Sequence, residues 1–252
     1  MTVDPGWPVG AAVVLLVAVT ISLYAVGRLP APASPVIAAV RAVLQLAVVA
    51  LLITAVIGSL ARSVALLIVM FTIATMTTAR RIGAPRAWPW AGVAMLSGLA
   101  PVVAIILLTR TVPLTGIALI PVVGILSGNT MNAHSLVGRR AFAELREQKS
   151  QYEAALSIGL DRSQSIDLLI HRLLPDALVP GMDQVRTVGI VTLPGAFIGV
   201  LLGGGSPAQA ATAQVLVLVG IMAAQTATAL VAERLIRSGR LLPPDLKASL
   251  QP

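Results

Sequence analysis

The sequence predicts an all-α, polytopic membrane protein of about seven transmembrane helices, N-terminus outside and C-terminus cytoplasmic, with one cytoplasmic helical hairpin. Three observations predict it. Of 252 residues, 57% are hydrophobic and only 11% charged, against about 25% charged in a soluble domain. The apolar residues gather in runs that can cross a hydrocarbon core of about 30 Å, which takes roughly 17 to 25 helical residues. The basic residues fall almost wholly into alternate connections.

The spans are expected near 9–27, 36–57, 63–79, 88–108, 112–131, 186–203 and 209–232. Lipid offers no hydrogen-bond partner to the backbone, and these runs lack the alternation of barrel strands, so they read as helices. The third is short. In the sixth, Pro194 and Gly195 are expected to break the helix near mid-membrane, as a static kink or as a gate lining the pathway. Alternating the spans places sixteen of the eighteen Lys and Arg residues on one side, with only Arg62 and Arg110 opposite. That asymmetry sets the orientation. The leader MTVDPGWPVG has no basic n-region, so the first span is expected to stay in the mature chain. Trp7, Trp88 and Trp90 fall at predicted span ends, where amphipathic rings favour the interface.

One connection is long. Residues 132–184 hold seven of the ten acidic residues. Phe142, Leu145, Tyr152 and Leu156 recur at near-heptad spacing, which predicts an amphipathic helix ending at Gly159. Asp161 is placed to cap a second helix, with Gln164 three residues on, and Ile166, Leu169, Ile170 and Leu173 form its apolar face up to Pro175. So short a hairpin cannot bury its own apolar face; it must brace the bundle or dock a second protein.

Several polar residues fall within or beside the spans. Arg41, with Gln45 one turn on, either snorkels to the interface or contributes to a pathway. Thr72, Thr75, Thr77 and Thr78 read as packing threonines whose hydroxyls bond back to the backbone. Gln214 and Gln225 in the last span each need a partner if buried. In SGNTMNAHS, residues 127–135, Asn129, Asn132, Met131 and His134 offer oxygen, sulfur and nitrogen donors, but no carboxylate or second histidine stands near. Capping and interface roles are the alternative to a weak metal site. With no cysteine, thiolate sites and disulfides are excluded.

Glu153-Ala154-Ala155 followed by Gly159 resembles the EAA loop of ABC-transporter permeases. The flanking runs IPVVGILSGNTMNAHSL, ALVPGMDQVRTVGIVTLPGAFIGVLLGGGSP and AQVLVLVGIMAAQTATAL, with AAVRAVLQLAV at the second span, are similar to the permease family of FetB-type iron exporters and plant aluminium-resistance permeases. The resemblance implies a coupling role for Glu153, Ala154, Ala155, Gly159 and Asp161, docking on a separate cytosolic ATPase subunit. It also implies a permease homodimer and export of iron or a related metal, with a nucleotide sugar as the alternative cargo. The chain is expected to be a transport subunit of the cell membrane, such as a bacterial inner membrane, and not an enzyme. It has no nucleic-acid partner and no cofactor of its own; ATP and Mg would be held by the partner.

An absence fits this reading: no G-x-x-x-x-G-K-[ST] occurs, so the chain has no phosphate-cradling loop with which to hydrolyse ATP. An ion-driven secondary transporter is a rival, although no Asp or Glu lies within a predicted span to relay protons or sodium. A membrane-embedded enzyme is another, and two histidines without intramembrane carboxylates leave it little chemistry.

Overall fold

In a computed structural model, residues 6–31, 33–56 and 58–250 are described. Met1–Gly58 and Ser59–Pro252 form two compact units. Among the described residues the regular structure is helical, and six helices are long and apolar enough to cross a membrane.

The first unit pairs α1 (Trp7–Val26) with α2 (Ser34–Val56). Neither helix buries a single residue. Surfaces such as Leu16, Leu23, Leu46 and Leu51 stay open, as suits side chains solvated by lipid instead of by a protein core.

The second unit is a bundle of α3 (Leu60–Arg81), α4 (Trp88–Leu108), α5 (Gly116–Glu147) and α10 (Pro207–Arg237). Here α10 packs against both α4 and α5, and α3 closes the other side of α4 and α5. Small residues permit the approach: Gly220, Ala224 and Thr228 recur every fourth position on α10 and meet Gly98 and Val102 of α4. Without a hydrophobic drive between helices in lipid, such close contact is what holds them. The threonines of α3 behave as their spacing predicts. Thr72, Thr75 and Thr77 bond to the carbonyls of Ile68, Thr72 and Ile73. Thr78 is the exception and crosses to α5.

Two clusters fill the unit. One, around Leu99, Val102, Ile106, Leu126 and Ile221, lies in the halves of the helices that carry Arg62 and Arg110 at their ends. The other joins the opposite helix ends to α6 (Lys149–Ser157), α7 (Arg162–Ile170), α8 (Leu174–Thr187) and α11 (Pro244–Ser249). The remaining basic residues of the unit, apart from Arg186 in the last turn of α8, lie on the helix ends and connections of that second end.

The segment 186–203 is not one helix. The chain leaves α8 at Thr187, turns through residues 188–193, and re-enters a helix only at α9 (Gly195–Leu202). Gly189, at φ +82°, accepts the sharp turn, and its N–H donates to the Thr192 carbonyl at 2.9 Å. Pro194 therefore starts a helix as the N-cap of α9; its fixed φ and missing N–H suit that position. Both α8 and α9 lie along α10, so the expected sixth span is replaced by two shorter helices, neither of them among the six long and apolar enough to cross a membrane. Pro175 is likewise at a helix start, not an end: α7 stops at Ile170, a 3-10 turn covers 171–173, and Pro175 sits in the first turn of α8.

The fifth helix is longer than its apolar run. It continues to Glu147, carrying Phe142 and Leu145 into the second cluster, and a turn at Gln148 separates it from α6.

Candidate functional site

Two regions carry the candidate chemistry, a polar crossing inside the bundle and the hairpin at its end. In the first, Gln225 of α10 is buried and its Nε2 reaches the backbone oxygen and the Oδ1 of Asn129 on α5, both at 3.4 Å. Asn129 also donates to the Ile125 carbonyl at 2.9 Å. Opposite them, Gly181 of α8 gives the amide room: a Cβ there would collide with Gln225 Oε1 and lie 2.9 Å from its Cδ. Three helices thus converge on one buried amide.

Beside it, a cavity of about 180 Å³ is lined by Arg81, Asn132, Ser135, Arg139, Ala177 and Pro180. Asn132 is in this second group and not on Gln225. The two guanidinium groups give the cavity a positive field suited to an anionic group.

His134, with the backbone carbonyl of Met131, lies at a different seam. His134 is fully buried between α5 and α3, with its Nδ1 2.8 Å from Thr78 Oγ1, which also contacts Ser135 Oγ at 2.7 Å. Thr78 further approaches the Met131 carbonyl at 3.4 Å. The Nε2 of His134 is buried without a hydrogen-bond partner. This cluster ties two helices and brings no carboxylate to the imidazole. Gln214 is buried with its Oε1 unpartnered, eleven residues before Gln225 and so about 16 Å away along the helix. Arg41 and Gln45 lie exposed on α2.

The hairpin is built by local rules. Asp161 accepts from the Gln164 N–H at 2.8 Å while Gln164 Oε1 accepts from the Asp161 N–H at 2.9 Å, a reciprocal capping box. Gly159 takes φ +94°, a left-handed turn that an L-residue resists. Asp161→Ala is expected to cost about 1 kcal/mol of local stability, read as faster amide exchange at residues 162–165 with the rest of the chain unchanged.

Its inner face is anchored. Tyr152 and Ala155 are buried, as are Ile166, Leu169 and Ile170. The Tyr152 hydroxyl donates to the Leu250 carbonyl at 3.3 Å, and burial raises its pKa above the ordinary tyrosine value, opposed by the charge of Arg162. The hairpin therefore braces the bundle through one face. The other face is exposed: it carries Glu153, paired with Lys149 at 3.5 Å, with Ala154, Ser157 and Gly159, and Ile158 at the turn is 80% exposed. Of the five candidate coupling residues, Ala155 points inward and Asp161 is engaged in its cap; Glu153, Ala154 and Gly159 remain on the surface. Ile158 was not singled out by the sequence, yet an isoleucine next to a turn glycine is a readable signal.

Comparison with known proteins gives a consistent picture. A family model described as "Uncharacterised protein family (UPF0014)" matches residues 8–239. The rice UPF0014 membrane protein STAR2 is 31% identical over 226 residues, covering 88% of this chain and 79% of that protein. Protein ALUMINUM SENSITIVE 3 of Arabidopsis thaliana is 30% identical over 162 residues, 64% of this chain and 59% of its own length. A probable iron export permease protein, FetB of Escherichia coli, is 26% identical over 140 residues, 56% and 54% of the two chains. No solved structure matches significantly.

Proposed function

We propose, for a chain that belongs to the UPF0014 family of membrane proteins, that it is the permease subunit of an ABC transporter, acting as a homodimer with a separate cytosolic ATPase. The observation that carries this reading is the hairpin. It is fixed to the bundle through Tyr152, Ala155 and Ile166, while an exposed rim of Glu153, Ala154 and Ile158 is left for a partner. A cleft in the ATPase would take that rim, and closure of two ATPase subunits would push the hairpin against α5 and α10. The basic end of the bundle then faces the cytoplasm of a cell membrane, as the positive-inside asymmetry requires.

The break at 188–193 supports a pathway along α8 and α9. Irregular backbone at membrane depth is tolerated only where protein or a cavity covers it. Ile190 and Val191 of this turn are 89% and 74% exposed in the single chain, and a second permease copy is the natural cover. Asn129, Gln225 and Gly181 would form its polar constriction. Gln225→Ala is expected to alter bundle stability by about 1 kcal/mol or less but to cut transport at least tenfold; unchanged transport would remove Gln225 from the pathway.

Iron or a related metal is the favoured cargo, by the name of the FetB relative. The cavity bearing Arg81 and Arg139 favours a second reading, a cargo with an anionic group such as a nucleotide sugar. Co-expression with the ATPase subunit tests the whole. The pair is expected to co-purify, with ATPase activity stimulated by the true cargo across a panel of metals and nucleotide sugars. Failure to hold any ATPase would refute the ABC assignment, and a flat response to iron would refute that cargo.

A further inference from the structure

Away from the polar crossing, α7 is clasped to the end of α10 by a group of charged side chains. Asp167 lies on α7, His171 one turn later, and Glu233 near the end of α10. His171 Nδ1 stands 2.8 Å from Glu233 Oε1, and one donor atom from each of the three lies within 4.8 Å of the other two. Glu233 is only 3% exposed, so its carboxylate needs a strong counter-charge. His171 is open to solvent and gives the group an entrance. Asp167 Oδ1 is buried and makes no hydrogen bond; it pairs with Arg237 at 3.0 Å and its charge also acts on His171.

We propose that Asp167, His171 and Glu233 form a binding site for a divalent transition-metal ion that pins the hairpin to α10. The donor set argues for the class of ion. One imidazole nitrogen with two carboxylate oxygens suits zinc, manganese or ferrous iron, whereas calcium and magnesium prefer oxygen alone. Spacing argues for the geometry: residues four apart on a helix share a face, so Asp167 and His171 reach one ion together while Glu233 completes the third corner. Water would fill the remaining positions, as His171 leaves that side open. Arg237 is the stand-in cation of the metal-free form, neutralising Asp167 until an ion displaces it. Arg172, the neighbour of His171, is turned to Glu144 of α5 and does not compete. The site bridges the segment that would take up the ATPase's motion and the helix that carries Gln225, so occupancy would stiffen that joint.

The full-length protein, purified in detergent without any ATPase, is titrated with Co²⁺ and followed by calorimetry and by the visible absorption of the bound ion. One ion per chain is expected. His171→Ala, checked by circular dichroism because it also takes the buried Glu233 carboxylate's partner, is expected to weaken binding at least tenfold and abolish the absorption band. Arg237→Gln is expected to strengthen it several-fold by removing the competing charge, an effect that loss of a structural ion pair would not produce. Absence of Co²⁺ binding in both wild type and Arg237→Gln would overturn the proposal. So would binding undiminished by His171→Ala, which would place the ion elsewhere while leaving the transport reading untouched.

Discussion

Gly98→Val is expected to prevent the second unit from assembling, seen as loss of monodisperse protein on size exclusion. Even Gly98→Ala should lower stability by about 3 kcal/mol. A Cβ at Gly98 would collide with the Ala224 carbonyl oxygen and lie 2.9 Å from its carbon and 2.5 Å from Thr228 Oγ1. Backbone cannot swing aside as a side-chain end can, so α4 and α10 would have to separate. Separation strips contacts from Leu99, Val102 and Ile221 along the same seam. Gly138→Ala serves as the graded control. Its Cβ would meet Ile82 Cγ2 at 2.7 Å, a side chain that can rotate, and the cost should be clearly smaller. Equal thermal stability of Gly98→Ala and wild type would show that the α4–α10 approach is not what holds the bundle.

Ile158→Asp should leave the isolated protein as stable as wild type, within about 0.5 kcal/mol, and abolish stimulation of the proposed ATPase subunit. The side chain is 80% exposed and supports nothing in the chain itself. Buried in a cleft, the new carboxylate would be a desolvated charge without a partner, which costs several kcal/mol and hence well over a hundredfold in affinity. Glu153→Lys tests the rim through charge and Gly159→Pro tests the turn, whose φ of +94° a proline cannot adopt. Normal ATPase association by all three variants would exclude the hairpin as the coupling element and leave it a brace only.

Where structure is set by neighbours in sequence, it was legible. The cap of Asp161 with Gln164 and the turn at Gly159 need only local chemistry, and the fold follows them. The prolines show the boundary of such reading. Pro175 is expected to end a helix and Pro194 to break one, and both stand at helix starts; a missing N–H is harmless in the first turn, so one residue type marks either end. The extent of α5 was hidden for a different reason, because the apolar run ends where the bundle does while the helix continues on packing from Phe142 and Leu145. Of the site, the amides Asn129 and Gln225 were identifiable as polar groups in apolar surroundings. Their meeting was not, since 96 positions separate them and only the packing of α8 at Gly181 fixes where they point. The same holds for Asp167 and His171, whose four-residue spacing is visible, and for Glu233, whose proximity is purely tertiary.

The uninterrupted course of α5 has a mechanical consequence. Its 32 residues make a rod of about 48 Å, some 18 Å longer than the hydrocarbon thickness. Its one internal proline, Pro121, lies near the end remote from the hairpin. Over most of its length the rod therefore has no joint, and a tilt imposed at Glu147 must appear along its whole span. A rotation of five degrees about its centre would carry each end about 2 Å in opposite directions, comparable with the helix displacements that switch other proteins between states. Asn129, close to that centre, would move least, so the amide contact to Gln225 is placed at the fulcrum of a lever whose ends travel furthest.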